Sequence, residues 1–254
     1  MGISDNRQLF IRDLLSNKGV VQVGELAVAL KVSEMTIRRD LSDLEKEGVL
    51  KRTHDGAVQE VSRSFEPPFK LRKTVHSTEK HKIALSAIHH IEEGDTIALD
   101  SGTTVIELAK QLLNFRNLTI VTPSLHIALL FLDHPTIVTI LSGGRVRKSE
   151  GSLVGEITWT TFDNLYFDKF FMSTGGLSAS AGFTEYTTDD AAIKKMIVSH
   201  SKEIIALIDS SKFGRTAFSQ VCTCKAVDVL VSENGPDQKL KEALLKNRVK
   251  IEIA

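Results

Sequence analysis

The stretch Val32-Ser33-Glu34-Met35-Thr36-Ile37-Arg38-Arg39-Asp40-Leu41-Ser42-Asp43-Leu44 constrains this chain more than any other. Ser33 is a good helix N-cap, and Ile37, Leu41 and Leu44 fall at i, i+4 and i+7 on one apolar face that has to be buried. At about 100° per residue, Met35, Thr36, Arg39, Ser42 and Asp43 collect on the opposite face, with Arg38 on its flank. A lone amphipathic helix carrying two arginines is ordinarily a solvated surface helix. The upstream neighbour changes that reading. Glu25 to Lys31 predicts a short helix with Leu26, Ala29 and Leu30 inward, and only Val32-Ser33 separates the two. Two helices joined by so short a turn fit a helix-turn-helix, whose second helix lies in the major groove of DNA.

The flanks extend the same unit. Asn6 to Asn17 predicts a first helix with Phe10, Ile11, Leu14 and Leu15 as its stripe and Lys18-Gly19 as its stop. Gln22 is a weak cap and Gly24 a poor first-turn residue, so the second helix depends on tertiary packing. Beyond Glu47-Gly48, Val49 to Arg52 reads as a strand, His54-Asp55-Gly56 as a turn and Ala57-Val58-Gln59 as the return strand. That is a β-wing, with Lys51, Arg52 and His54 placed for the phosphate backbone, which positions a protein without reading sequence. Bulk charge does not announce such a role. The net charge of the 254 residues is +0, and residues 1–61 hold nine Lys plus Arg against ten Asp plus Glu, a net of −1. The DNA argument rests on local placement.

Leu26-Ala27, Val32-Ser33, Thr36-Ile37-Arg38-Arg39-Asp40-Leu41, Leu44-Glu45, Gly48 and Arg52-Thr53-His54 resemble the winged helix-turn-helix of the DeoR family of bacterial transcriptional regulators. The run Thr36 to Leu41 followed by Leu44-Glu45 is highly specific to that family. One departure is visible: the family usually has His-Gly-Gly-Ala at the wing tip, where this chain has His54-Asp55-Gly56-Ala57. Asp tolerates turn conformations, so a wing is still expected, less accommodating to phosphate. The candidate DNA-contacting set is Ser33, Met35, Thr36, Arg38, Arg39, Ser42, Arg52 and His54.

Residues 62–76 read as a linker, broken by Pro67-Pro68 and made basic by Arg63, Lys70, Arg72 and Lys73, an ordinary solvated connector. Thr78-Glu79-Lys80 then opens a helix carrying Ile83, Ala84, Ala87, Ile88 and Ile91. Beyond Gly94, short apolar runs at 96–99, 118–121, 137–141, 170–172, 204–208 and 227–231 alternate with helical stretches at 105–113, 124–132, 189–200 and 238–247. This is α/β texture, with strands expected to be buried on both faces. In such sheets ligands sit beyond the carboxyl ends of the strands. Those loops are rich in glycine and hydroxyl residues: Asp100-Ser101-Gly102-Thr103-Thr104, Thr122-Pro123-Ser124, Ser142-Gly143-Gly144, Ser173-Thr174-Gly175-Gly176 and Asp209-Ser210-Ser211-Lys212. The first runs into a helix, placing N–H groups and hydroxyls at a positive helix terminus, as an anionic phosphate requires. Lys212 adds a point charge.

The motifs Asp100 to Thr104, Thr122 with Ser124, Gly143-Gly144, Gly155 and Asp209 to Gly214 resemble the sugar-sensing C-terminal domain of DeoR-type regulators, so the resemblance covers nearly the whole chain. Where the family commonly has Thr-Asn-Ser, Thr122-Pro123-Ser124 lacks a side-chain amide. That domain is similar to ribose phosphate isomerase, which makes a sugar-phosphate isomerase the alternative. Such isomerases need a carboxylate base. Here Ser173 to Leu177 replaces the carboxylate-rich segment, and Lys194-Lys195 stands where a glutamate is expected. The resemblance implies a binding cradle without its base: Asp100, Ser101, Gly102, Thr103, Thr104, Thr122, Ser124, Gly143, Gly144, Gly175, Glu185 and Lys212, with Asp100 and Glu185 on sugar hydroxyls and Lys212 on phosphate.

Other chemistry is sparse. No run approaches the ~18 apolar residues a membrane helix needs, and Asn6 does not fit the motif that would make Gly2 a myristoylation site. A cytoplasmic protein is expected, with no membrane partner. Cys222 and Cys224 read as reduced bystanders, His81, His89, His90 and His126 as surface or helix-face residues without metal-ligand spacing, and Trp159, Tyr166 and Tyr186 as packing groups or pocket walls. No cofactor is implied. The expected protein has two domains, a winged helix-turn-helix (α+β) over 1–61 and, after the linker 62–76, an α/β sensor of the ribose phosphate isomerase-like type over 77–254. Its partners are a double-stranded DNA operator and a phosphorylated sugar. It is a homo-oligomer, dimer or tetramer, because palindromic sites are read by two copies.

Overall fold

A computed structural model describes residues 3–47, 49–59, 63–148 and 150–254. The chain divides into two compact units, Met1–Pro67 and Pro68–Ala254. The first contains α1 (Ile3–Lys18), β1 (Val20–Gln22), α2 (Val23–Leu30), α3 (Glu34–Lys46), β2 (Leu50–Arg52) and β3 (Gly56–Gln59). Lys31 closes α2 at φ 53°, and Val32-Ser33 carry the chain into α3. Ile37, Leu41 and Leu44 are fully buried, packed with Ile11, Leu15, Val21 and Leu26. The periodicity omits Asp40, which lies on that same buried face. Its carboxylate accepts from Arg7 Nε at 2.8 Å and from Arg7 Nη2 at 3.1 Å, tying α1 to α3. The wing has three strands, in the order β1-β3-β2, rather than the two expected. A Cβ on Gly56 would collide with the backbone of Val21 in β1, so the third strand fixes the glycine.

The second unit runs α4 (Phe69–Thr74), α5 (Ser77–Ala87), β4 (Thr96–Leu99), α6 (Thr103–Gln111), β5 (Thr119–Thr122), α7 (Leu125–Leu130), β6 (Val138–Leu141), β7 (Arg145–Arg147), β8 (Ser152–Val154), α8 (Glu156–Asp163), β9 (Phe167–Met172), β10 (Gly176–Ser178), β11 (Gly182–Glu185), α9 (Thr188–Ser199), β12 (Ser201–Leu207), β13 (Ser219–Cys222), β14 (Val229–Ser232), α10 (Gln238–Lys246) and β15 (Lys250–Ile253). Seven strands form a parallel sheet in the order β15-β14-β12-β9-β4-β5-β6. Alternation along β9 sends Phe171 into one apolar layer and Phe170 and Met172 into the other. The central strands are therefore buried on both faces, as expected for a parallel sheet. β6 is not: it ends the sheet, and Val138, Ile140 and Leu141 are exposed. From β4 the chain winds outward through β5 to β6, then returns to the other side of β4 as β9. The strand order reverses between β4 and β9, which is where doubly wound sheets bind ligands.

The expected linker 62–76 is only partly a connector. From Pro68 onward it belongs to the second unit, and α4 packs there. Phe69 is buried and stacks on His126, centroids 4.4 Å apart and planes 6° from parallel. Arg72 pairs with the buried Glu150, and the buried Lys80 donates to the carbonyls of Arg72 and, at 2.6 Å, Val75. The basic residue that suggested solvation turns inward because it finds a carboxylate. The expected boundary at 61–62 lies outside the described residues.

Candidate functional site

On α3, Ser33 Oγ accepts from Thr36 N–H at 3.3 Å and lies 3.0 Å from Thr36 Oγ1, so these two hydroxyls build the helix start. Met35 and Arg39 stand exposed, with no ion pair to Arg39 among the described residues, and Ser42 is half-buried. Arg38 lies 3.8 Å from Glu34 and donates to the His54 carbonyl at 3.4 Å, linking the helix to the wing tip. Arg52 is exposed, its N–H bonded to Glu45 at 2.9 Å, and the His54 ring is in solvent. The sequence-derived set therefore gathers on one helix face and the adjoining wing. Ser33 and Thr36 have an internal role there, and Arg38 a partly internal one.

At the reversal between β4 and β9, three buried ionised groups meet. Lys194 Nζ from α9 lies 2.6 Å from Asp100 Oδ2, which follows β4, and 2.6 Å from Glu185 Oε1, which ends β11. It also donates to the Ser173 carbonyl at 2.9 Å. Asp100 Oδ2 accepts in addition from Ser173 N–H at 3.0 Å and from Ser173 Oγ, and Glu185 Oε1 accepts from Gly175 N–H at 3.2 Å. Burial disfavours the ammonium, but Asp100 and then Glu185 outweigh it, so the Lys194 pKa stands above its ordinary value. In the sequence Lys194 stands where an isomerase would have its glutamate, which does not by itself announce a buried ion pair. A signal for its burial was available, since Lys194 falls three residues from both Ala191 and Ile197 on the buried face of α9.

The remaining candidates separate by what they touch. Gly102 is the N-cap of α6, and a Cβ there would collide with Ser173. Thr103 and Thr104 are buried in the first turn, with Ser101 half-buried beside them. Gly175 lies under Tyr186, whose ring would stand 2.8 Å from an added Cβ and whose hydroxyl donates to the Gly175 carbonyl at 3.2 Å. Gly102 and Gly175 therefore border the Lys194 cluster, the first at Ser173 and Asp100 and the second at Glu185. Thr122 and Ser124 are occupied otherwise: Thr122 Oγ1 donates to the Leu99 carbonyl at 2.7 Å and accepts from Ser124 N–H at 3.1 Å, while Ser124 Oγ caps α7. Gly143 and Gly144 follow the edge strand β6 and admit α8, a Cβ on Gly143 falling 2.6 Å from Ile157. Lys212 lies on a 3₁₀ turn after β12. Burial would raise the Asp209 carboxyl, but Lys212, a Ser211 hydrogen bond and Lys80 outweigh it and hold Asp209 below its usual range.

His126 is exposed on α7, as expected of a helix-face residue, and one face of its ring stacks on Phe69, while Tyr166 is exposed and meets the edge of His200, ring centroids 5.0 Å apart. Both cysteines are free thiols, and burial pushes Cys222 up to about 12.

A helix that exposes Arg38 and Arg39 beside a wing, in a chain whose second unit gathers a buried polar cluster at a sheet reversal, defines a ligand-sensing DNA-binding regulator. A DeoR-like helix-turn-helix domain matches residues 7–63, and the DeoR C terminal sensor domain matches residues 75–234. The chain belongs to the DeoR family of transcriptional regulators. It is 33% identical to the HTH-type transcriptional regulator GolR of Listeria innocua, over 94% of this chain and 93% of that one. It is 30% identical to the glycerol-3-phosphate regulon repressor of Escherichia coli, over 96% of each, and 35% identical to the lactose phosphotransferase system repressor of Staphylococcus epidermidis, over 90% of this chain and 92% of that one. Among solved structures, ribose 5-phosphate isomerase A of Methanocaldococcus jannaschii aligns with a TM-score of 0.40 at 16% identity, over 54% of this chain and 55% of that one. No helix among the described residues is long and apolar enough to cross a membrane.

Proposed function

We propose that the chain is a cytoplasmic repressor of a sugar-metabolism operon. Two copies of α3 and its wing read a palindromic operator, and a phosphorylated sugar bound at the β4–β9 reversal changes operator affinity. The observation that carries the effector half is the Lys194 cluster. Its carboxylate and hydroxyl oxygens suit the hydroxyls of a polyol, while the Ser101 to Thr104 N–H groups and hydroxyls at the α6 terminus suit its phosphate. Lys212 serves as a further cationic contact through its place beside Asp209.

The same cluster argues against catalysis. A general base must be free to take a proton from substrate, whereas Asp100 and Glu185 both accept from a lysine held in its charged form. The names of the glycerol-3-phosphate and lactose phosphotransferase relatives fit a phosphorylated effector.

A thermal-shift screen of the full chain against sugar phosphates, paired with operator binding, tests this reading. A ligand at a hundredfold its Kd adds about 2.7 kcal/mol to native stability. The expected result is one sugar phosphate that raises the melting temperature well above its unphosphorylated sugar and shifts operator affinity. No response across the panel, equal response to both sugars, or turnover of a pentose phosphate would overturn it.

A further inference from the structure

The open edge of the seven-stranded sheet is the feature that the operator-reading and effector-binding roles leave unexplained. β6 is the last strand on its side, and from Pro135 through Gly144 the chain carries no ionisable side chain. Folded proteins blunt such edges with charges, prolines, bulges or a covering element, because an uncharged apolar edge is a template for pairing. Here the strand is apolar on both faces: Val138 is 59% exposed, with Ile140 and Leu141 also open. On the elements flanking the strand, Leu129 of α7 (67% exposed), Leu132 in the turn after it (73%) and Ile157 of α8 (66%) are also open. Contiguous apolar patches on the order of several hundred Å² mark interaction sites, and a standard interface takes about 800 Å² per partner.

We propose that this edge is the twofold contact between copies of the chain, with β6 pairing antiparallel to β6 of its mate so that two seven-stranded sheets run into one. The inference rests on the proposed reading of a palindromic operator, which needs two copies. A second copy fits better than a foreign strand because the edge complements itself. Val138 and Ser142 direct their N–H groups to β5, bonding Leu118 and Thr122. Alternation therefore points the N–H and C=O groups of Thr139 and Leu141 to the open side. Outward groups must meet outward groups. The register that does so with most of the strand engaged sets Thr139 opposite Leu141 of the mate, each pair exchanging both hydrogen bonds. Ile140 then faces Ile140 of the mate across the axis. Leu129 and Leu132 cover one face of the junction, and Ile157 the other.

The register makes the test specific. Residues facing each other across a non-hydrogen-bonded antiparallel pair have Cα atoms about 4.5 Å apart, within the ~4.4–6.8 Å that a disulfide spans. In the full-length protein, Ile140→Cys should give a covalent dimer on mild oxidation, whereas Thr139→Cys and Leu141→Cys, displaced from the axis, should not. Wild type controls for the native Cys222 and Cys224. Sedimentation equilibrium should show wild type as a dimer or a larger even assembly, and Leu141→Lys should halve its mass and weaken operator binding at least tenfold. Leu132→Lys, outside the strand, should do likewise and serves if Leu141→Lys fails to fold. A monomeric wild type would overturn both this inference and paired operator reading. A dimeric wild type with no Ile140→Cys cross-link, and a Leu132→Lys variant of unchanged mass, would overturn this interface alone.

Discussion

At the scale of single residues, Lys194 carries the largest consequence. Removing one partner of a buried ion pair leaves an uncompensated charge and costs about 3–5 kcal/mol. Lys194→Met should therefore lower the urea midpoint sharply, and Lys194→Met with Glu185→Gln should recover part of the loss. A single variant as stable as wild type would show that the cluster is not ionised as described. Lys80 has the opposite sign. Burial is the largest influence on it and lowers its pKa from 10.5 to about 8. The unfolded chain then binds more protons between those values, so this group makes stability rise as pH climbs through that window. Lys80→Met should flatten the rise between pH ~8 and ~10, measured by chemical denaturation across pH; an unchanged slope would count against the assignment. Lys194 had a signal in its spacing from Ala191 and Ile197, but the carboxylates that make its burial tolerable, like the arginine beside Asp40, could not be read in advance. Periodicity assigns charged residues to solvent, and for Asp40 and Lys194 it is a partner distant in sequence, such as Arg7 for Asp40, that makes burial tolerable.

Elements show a sharper division. α3 was legible to within its cap because Ile37, Leu41 and Leu44 mark one face and Ser33 marks the start. The structure refines what its two arginines do. Arg39 stands clear of the wing, while Arg38 reaches the His54 carbonyl. Arg39→Ala is thus expected to remove about 1–3 kcal/mol of discrimination between operator and mismatched DNA. Arg38→Ala should weaken binding to all sequences by a similar, smaller factor. Fluorescence anisotropy on matched and mutated duplexes separates the two, and an Arg39→Ala variant with intact sequence preference would reverse the assignment of faces. The apolar runs of six of the seven parallel strands were equally plain, but the edge strand β15, with Lys250 and Glu252 alternating with its two isoleucines, was not. β1, β7, β8, β10, β11 and β13 were not legible either, since they are short strands outside the parallel sheet without a continuous apolar run, and their pairing comes from tertiary contact. α4 was hidden by Pro67-Pro68, which signals a break without saying that Phe69 will dock on His126 just beyond it.

For the whole molecule, the division at Pro67 and Pro68 separates two self-sufficient cores. Ile11, Leu15, Leu26, Ile37, Leu41, Leu44 and Leu50 are each at most 1% exposed, and they pack with one another in the first unit. A fragment of residues 1–67 should consequently fold, with the helical circular dichroism of α1 to α3 and a cooperative melt. It should nonetheless bind operator poorly. Joining two readers makes the second contact intramolecular, at an effective concentration that raises avidity by about 10²–10⁴ without any new contact. The fragment forfeits that factor while keeping every base-directed side chain. Its sequence preference at a single half-site should match that of the intact protein, and its salt dependence should fall, because fewer phosphates are neutralised per binding event. Operator titrations of fragment and full chain at several salt concentrations decide the matter. A fragment with full-length affinity would place the pairing of half-sites within the first unit and remove the need for the second to hold two readers together.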